Sequence, residues 1–197
     1  MKRAVLGVRM HSGWGVLVAV SGATDAVELQ DRRRIDITDP SIPGAKQPYH
    51  YAASLGLTES ETYLAKCAAA SERLALEAVA EVVRELEGRH VGITGSAVLL
   101  ASGRPLSSLS KTLASHALIH TAEGEFFRNA IREACQRLEI RFTAIREREL
   151  EELAKTAFGH AASRVQRRIS SLGSSIGPPW TKDHKMAALA AAIILAT

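Results

Sequence analysis

Three strand patterns joined by short polar turns occupy the first 37 residues, and this feature limits the folds open to the chain. The stretch "VLGVRMHSGWGVLVAV", residues 5–20, predicts strands at 4–8 and 14–20 that the turn "RMHSG" connects. The turn "SGATD" leads to "AVELQDRRRIDI", residues 26–37, whose alternation predicts a third strand. We therefore expect an antiparallel meander. Its arginine triplet is interpreted as an exposed edge that discourages strand pairing.

Helical patterns separate the later strands. Residues 38–57, rich in proline and glycine, predict a long loop. The stretch "TESE" then predicts a helix with Thr58 as its N-cap and an end near Glu87. The stretch "HVGITGSAVLLASG", residues 90–103, predicts a buried fourth strand.

The remaining patterns complete an α/β fold. An amphipathic pattern, "TAEGEFFRNAIREACQRL", predicts a helix before the fifth strand, "EIRFTAI". Two surface helices and a final buried helix, "TKDHKMAALAAAIILA", follow. Right-handed crossovers place strand four parallel to strand one and strand five outside it. The prediction is a mixed five-stranded sheet of order 3-2-1-4-5 with helices on both faces.

Length and composition bound the class of protein. The 197 residues are enough for one domain, which we expect to span 1–197. The net charge of +4 permits an anionic partner such as nucleic acid but does not require one.

No membrane partner is expected, since the apolar C-terminal stretch is shorter than the about 20 residues that span a bilayer. Cys67 and Cys135 are isolated, which indicates buried free thiols in a reducing cytoplasm.

Two stretches resemble the RuvC-type Holliday-junction resolvases and related predicted nucleases. "AVLGVRMHSGWGVLV" is similar to that family's first hairpin, where a strand ends in "GID" or "GVD" and "GWG" or "GYG" opens the next. "DHKMAALAAAIILA" is similar to the family's last helix. The resemblance implies a ribonuclease H-like fold, whose members cleave phosphodiesters with clustered carboxylates that hold two divalent metals.

The carboxylates that this resemblance implies are largely missing. Arg9 stands where the aspartate of the first strand is expected, and "AVLLASGRP" in the fourth strand holds no acidic residue. In the last helix the two acidic positions fall on His184 and Ala187, with Asp183 one residue away. Because arginine repels Mg²⁺, a two-metal nuclease of the usual kind is not expected. The fold is expected with its chemistry lost or replaced, and whether the chain is an enzyme stays open.

The predicted sheet order brings the C-terminal ends of strands one and four together, where α/β sheets form clefts. Basic and hydroxyl side chains at this edge, with the start of the last helix, suit a phosphate or carboxylate ligand. The candidate ligand-binding residues are Arg9, Ser12, Arg104, Lys182 and Asp183. The alternative, equally open, is that the basic residues are ordinary rim charges paired with Glu and Asp.

A second group of residues suggests a divalent metal as cofactor. His116 and His120 share one face if their stretch is helical, and with Glu123 they form a candidate set for Zn, Mn or Ni. These three residues and His11 are also the candidate catalytic groups. In the alternative, Thr121 is a helix N-cap with Glu123 in the first turn, and the histidines only satisfy backbone groups.

Two functions stay open on these observations. The leading hypothesis is a nuclease-like domain that binds or processes nucleic acid, or another phosphorylated ligand, in the cleft between strands one and four. The alternative is a non-catalytic scaffold or protein-interaction module that forms a homodimer through its alanine-rich helices. No GxxxxGK[ST], GxGxxG or GxSxG motif points to another chemistry.

Overall fold

A computed structural model describes residues 1–23, 26–101 and 105–197. The strands form one sheet of order β3-β2-β1-β4-β5, which confirms the predicted order. β1 pairs antiparallel with β2, and β2 with β3, whereas β1–β4 and β4–β5 are parallel. The strands are β1 (Lys2–Met10), β2 (Trp14–Ser21), β3 (Glu28–Asp36), β4 (Val91–Leu100) and β5 (Phe142–Arg146).

Helices cover both faces of the sheet, as predicted. One face is packed by α2 and α4, and the other by α5, α6 and α7. The α-helices are α1 (Pro48–Ala52), α2 (Leu57–Gly88), α3 (Leu109–Leu113), α4 (His116–Arg137), α5 (Leu150–Phe158), α6 (Ala162–Ile176) and α7 (Lys182–Ala196).

The predicted start of α2 at an N-cap Thr58 is wrong. The helix begins at Leu57 with Gly56 as its N-cap, and the Gly56 N–H donates to the Glu59 carboxylate over 3.2 Å. The glutamate of this capping contact is therefore Glu59 rather than Glu61. The reason is that the N-cap lies two residues earlier in the chain than the "TESE" pattern indicates. The loop predicted over 38–57 also contains the short helix α1.

Helix α4 is continuous through Thr121, so the alternative with an N-cap at this residue is wrong. The Thr121 hydroxyl donates to the Ala117 carbonyl oxygen over 3.1 Å, a contact that a threonine inside a helix makes with the preceding turn. The helix begins at His116 instead, and its N-cap is Ser115 rather than Thr121. As a result, His116 and His120 lie one helical turn apart on the same face.

A close approach between β1 and α7 organises the core beneath the site. The alanines of α7 from Ala187 to Ala192 are buried, which confirms the predicted buried final helix. A Cβ atom at Gly7 would overlap the Ala187 carbonyl oxygen, so only glycine permits this packing. The small side chains on both elements thus bring the start of α7 to the C-terminal end of β1.

Cys67 and Cys135 are free and buried, as expected. Within the described residues, no helix combines the length and apolar character needed to cross a membrane.

Candidate functional site

The Arg9 side chain, at the C-terminal end of β1, lies between two carboxylates. Its Nε and Nη2 donate to Oε1 and Oε2 of Glu147 over 2.9 and 3.1 Å. Its Nη1 donates to Asp183 Oδ1 over 2.7 Å. A bidentate guanidinium–carboxylate pair is strong and geometrically specific. We refer to Arg9, His11, Glu147 and Asp183 as the Arg9 cluster.

His11 completes this cluster. Its Nε2 lies 2.9 Å from Asp183 Oδ2, an acceptor, and 3.1 Å from Arg9 Nη1, a donor. The imidazole stacks on Trp14, with ring centroids 4.3 Å apart and an interplanar angle of 16°. Arg34 also lies against Trp14, with its guanidinium carbon 4.2 Å from the ring centroid. The indole therefore fixes the orientation of the histidine.

The Arg9 guanidinium stays charged in this environment. Partial burial lowers its pKa, but the hydrogen bonds and charges of Glu147 and Asp183 outweigh burial and raise the pKa above its ordinary value. The side-chain exposures of Arg9, Glu147 and Asp183 are 20%, 27% and 21%. A cationic side chain thus occupies the space between the two carboxylates. This donor set does not fit the pair of divalent metals that nucleases of the predicted fold use.

Glu147 is the member of the cluster that the sequence analysis missed. It follows the last residue of β5 directly and begins a single 3₁₀ turn, Glu147–Glu149. Because β1, β4 and β5 run parallel, the residue after β5 reaches the same sheet edge as the end of β1. The available signal was its position as the first acidic residue after the fifth strand.

The candidate ligand-binding residues fall in different places. Arg9 and Asp183 lie together, as the cleft prediction expects. Ser12 is exposed in the β1–β2 turn and lines an open cavity of about 600 Å³ with Lys46, Gln47 and His50. Lys182 is exposed at the start of α7 and lines a different, smaller pocket beside α6. Arg104 lies outside the described residues.

The two candidate metal-binding histidines meet a third. His50, on α1, lies with its ring centroid 5.5 Å from that of His116 and 4.9 Å from that of His120. The centroids of His116 and His120 are 4.4 Å apart. One nitrogen of each ring lies within 4.8 Å of the others. His50 was not a candidate in the sequence, because its loop offered no spacing that linked it to α4.

Glu123 is bonded to His50 and to the start of α1. Its Oε1 accepts the backbone N–H groups of Tyr49 and His50 over 3.0 and 3.1 Å, and His50 Nδ1 lies 3.1 Å away. The other oxygen, Oε2, is buried and has no hydrogen-bond partner among the described residues. Burial raises the pKa of Glu123, and the contacts from His50 and Tyr49 oppose that shift.

The three arginines of β3, residues 32–34, all form ion pairs or hydrogen bonds with other groups of the protein. Arg33 pairs with Asp31 and Glu85, and Arg34 pairs with Asp36. Arg32 donates to backbone carbonyl oxygens of residues 176–179, the segment before α7. These contacts agree with the interpretation of the triplet as an edge rather than a binding patch.

No family model matches the chain, and no curated protein matches it. Solved structures resemble it in fold, among them two of RuvC from Thermus thermophilus. Thermus thermophilus RuvC in complex with a Holliday junction substrate has 12% sequence identity and a TM-score of 0.52, over 97% of this chain and 91% of that chain. Thermus thermophilus RuvC itself has 12% identity and a TM-score of 0.51, over 96% and 92%. The chain therefore has a ribonuclease H-like fold, as the sequence predicts.

Proposed function

We propose that this chain is a nuclease-like domain that binds nucleic acid at the C-terminal edge of its sheet, without two-metal cleavage at the end of β1. The observation that carries the proposal is the Arg9 guanidinium between Glu147 and Asp183. The protein thereby holds its own cation at the sheet edge where the resemblance implies a metal-binding carboxylate.

Arg9 reduces the repulsion that this edge would exert on an anionic ligand. Its single positive charge offsets one of the two negative charges of Glu147 and Asp183, so phosphate groups nearby are repelled less than by two free carboxylates. The adjacent open cavity carries the exposed Lys46, which has no ion pair within the described residues, and the Ser12 hydroxyl. Lysine and serine are ordinary contacts for backbone phosphates.

The similarity to RuvC supports the choice of ligand class. One of the similar structures is a complex with a Holliday junction substrate, and the shared fold extends over nearly the whole chain. The homodimer alternative has less support. The alanines of α7 from Ala187 to Ala192 are buried inside the chain, so this stretch of the helix does not present an alanine-rich face to a second copy.

Fluorescence anisotropy with labelled four-way junction, duplex and single-stranded DNA tests the proposal. Binding is expected at low salt and should weaken linearly in a log–log plot as salt rises. Lys46→Glu should weaken binding and reduce the salt slope by about 1 or more. Lys155→Glu is the matched control, since Lys155 is exposed on α5. Failure to bind any of the three DNAs at low salt, or equal effects of the two substitutions, would overturn the proposal.

A further inference from the structure

Three imidazoles converge where α1 crosses the first turn of α4. His116 and His120 lie one turn apart on α4, and His50 faces them from α1, with the three ligand nitrogens within 4.8 Å of one another. Tetrahedral coordination at metal–nitrogen distances of about 2.0–2.1 Å needs nitrogen–nitrogen separations of about 3.4 Å. His116 and His120 are exposed, so small side-chain rotations can bring the three nitrogens to this spacing.

The buried Glu123 carboxylate prepares His50 as a ligand. Because a carboxylate oxygen accepts, His50 Nδ1 carries the proton and donates to Glu123 Oε1 over 3.1 Å. That tautomer leaves Nε2 with a free lone pair. A carboxylate bonded to the second ring nitrogen is the usual partner of a metal-ligating histidine, since it fixes the ring and raises ligand basicity.

A second feature of Glu123 points to a missing positive charge. Its side chain is 4% exposed, and its Oε2 has no hydrogen-bond partner among the described residues. A buried carboxylate that lacks full compensation is costly. A divalent cation on His50 Nε2 would supply that compensation through the imidazole.

We propose that His50, His116 and His120 form a binding site for a late transition-metal ion of the zinc class, with Glu123 as the positioning residue. Imidazole ligands suit Zn²⁺, Co²⁺ and Ni²⁺, whereas Mg²⁺ and Ca²⁺ take oxygen ligands. Three protein ligands leave a fourth position for water or another donor. His50 also lines the open cavity with Ser12 and Lys46, so a ligand in that cavity has access to this side of the site.

This site differs from the metal pair of the fold's nucleases in place and in donor type. It shares no residue with the Arg9 cluster, and its ligands come from α1 and α4 instead of the strand ends. It also goes beyond the proposed nucleic-acid binding, which does not depend on it.

Calorimetric titration of the chelator-treated full chain with Zn²⁺ tests the site, and the visible absorption of the Co²⁺ form reports its coordination. One equivalent of Zn²⁺ should bind, and excess Mg²⁺ should not displace it. His116→Ala and His120→Ala should each weaken Zn²⁺ binding at least tenfold. His160→Ala is the matched control, because His160 is an exposed histidine elsewhere on the surface. It should bind Zn²⁺ as the unmodified chain does.

Glu123→Gln tests the positioning role. It should weaken Zn²⁺ binding about 10- to 100-fold and alter the Co²⁺ spectrum. The two α4 histidines are exposed, so their variants remain informative if Glu123→Gln does not fold. Zn²⁺ binding that both α4 variants leave unchanged would overturn the site, as would displacement by Mg²⁺. Because the readout is metal binding, a failure of DNA binding would not alter this result.

Discussion

Arg9, at the end of β1, donates a 2.7 Å hydrogen bond to Asp183, in the first turn of α7, and this contact joins two elements 174 positions apart in the chain. The same guanidinium holds Glu147 after β5 with two further hydrogen bonds. One side chain therefore ties three elements together at the edge of the sheet. The protein supplies its own cation at this point, between the two carboxylates.

Removal of the Arg9 charge should destabilise the chain. Arg9→Met leaves two partly buried carboxylates without their cation, and hydrogen bonds to charged groups contribute about 1.5–3 kcal/mol each. We expect the free energy of unfolding in urea to fall by about 2 kcal/mol or more. Arg73→Met is the control, because Arg73 forms an exposed pair with Glu77 on α2. Its loss should cost about 0.5 kcal/mol at most. Equal losses in the two variants would contradict the assigned role of Arg9.

Two glycine-to-alanine substitutions, one at the β1–α7 contact and one at the end of α2, should change the free energy of unfolding in opposite directions. A Cβ at Gly7 meets the Ala187 carbonyl oxygen, so Gly7→Ala should lower the free energy of unfolding by about 2 kcal/mol through overpacking. Gly88 closes α2 with open space around it. Gly88→Ala should raise stability by about 0.5 kcal/mol, since alanine restricts the unfolded chain. Urea unfolding of both variants measures the contrast, and a neutral Gly7→Ala would argue against the close packing.

His184 should make stability depend on pH. Its Nδ1 accepts the Thr181 backbone N–H over 3.2 Å, which requires the neutral ring. Burial, followed by the charge of Arg32, lowers the pKa of His184, and Asp183 opposes the shift. As pH falls below about 6.5, the unfolded state takes up a proton before the folded state does, so stability decreases. The decrease ends once pH has fallen through the lowered pKa of the folded state.

His184→Gln isolates this contribution, because glutamine can accept the same N–H group but does not titrate. The free energy of unfolding of the unmodified chain should fall more steeply between pH 7 and pH 5 than that of the variant. Parallel curves would show that His184 does not titrate with folding.

The fold was open to prediction because it depends on local patterns and general rules of connection. Alternation in the first 37 residues indicates the meander, and right-handed crossovers then determine where β4 and β5 lie. The start of α2 was misplaced because a capping glutamate occurs at both Glu59 and Glu61, and only the path of the preceding chain selects between them.

The candidate sites were only partly predictable. The convergence of Arg9 and Asp183 follows from the sheet order, since strand ends and the last helix meet at one edge. Glu147 and His50 reach their clusters only through tertiary packing. Glu147 follows the outermost strand, β5, and contacts Arg9. His50 lies on the short helix α1, whose first N–H groups donate to Glu123. No spacing in the sequence encodes those contacts, so neither residue was singled out.

The most direct test of the central claim is the thermal unfolding midpoint of the unmodified chain and of Arg9→Asp, each with and without Mg²⁺. The substitution places a third carboxylate beside Glu147 and Asp183, and such a set of oxygens suits Mg²⁺, which the histidine cluster does not. Mg²⁺ should raise the midpoint of Arg9→Asp and leave that of the unmodified chain unchanged. An equal rise in the unmodified chain would contradict the claim that Arg9 takes the place of a metal ion.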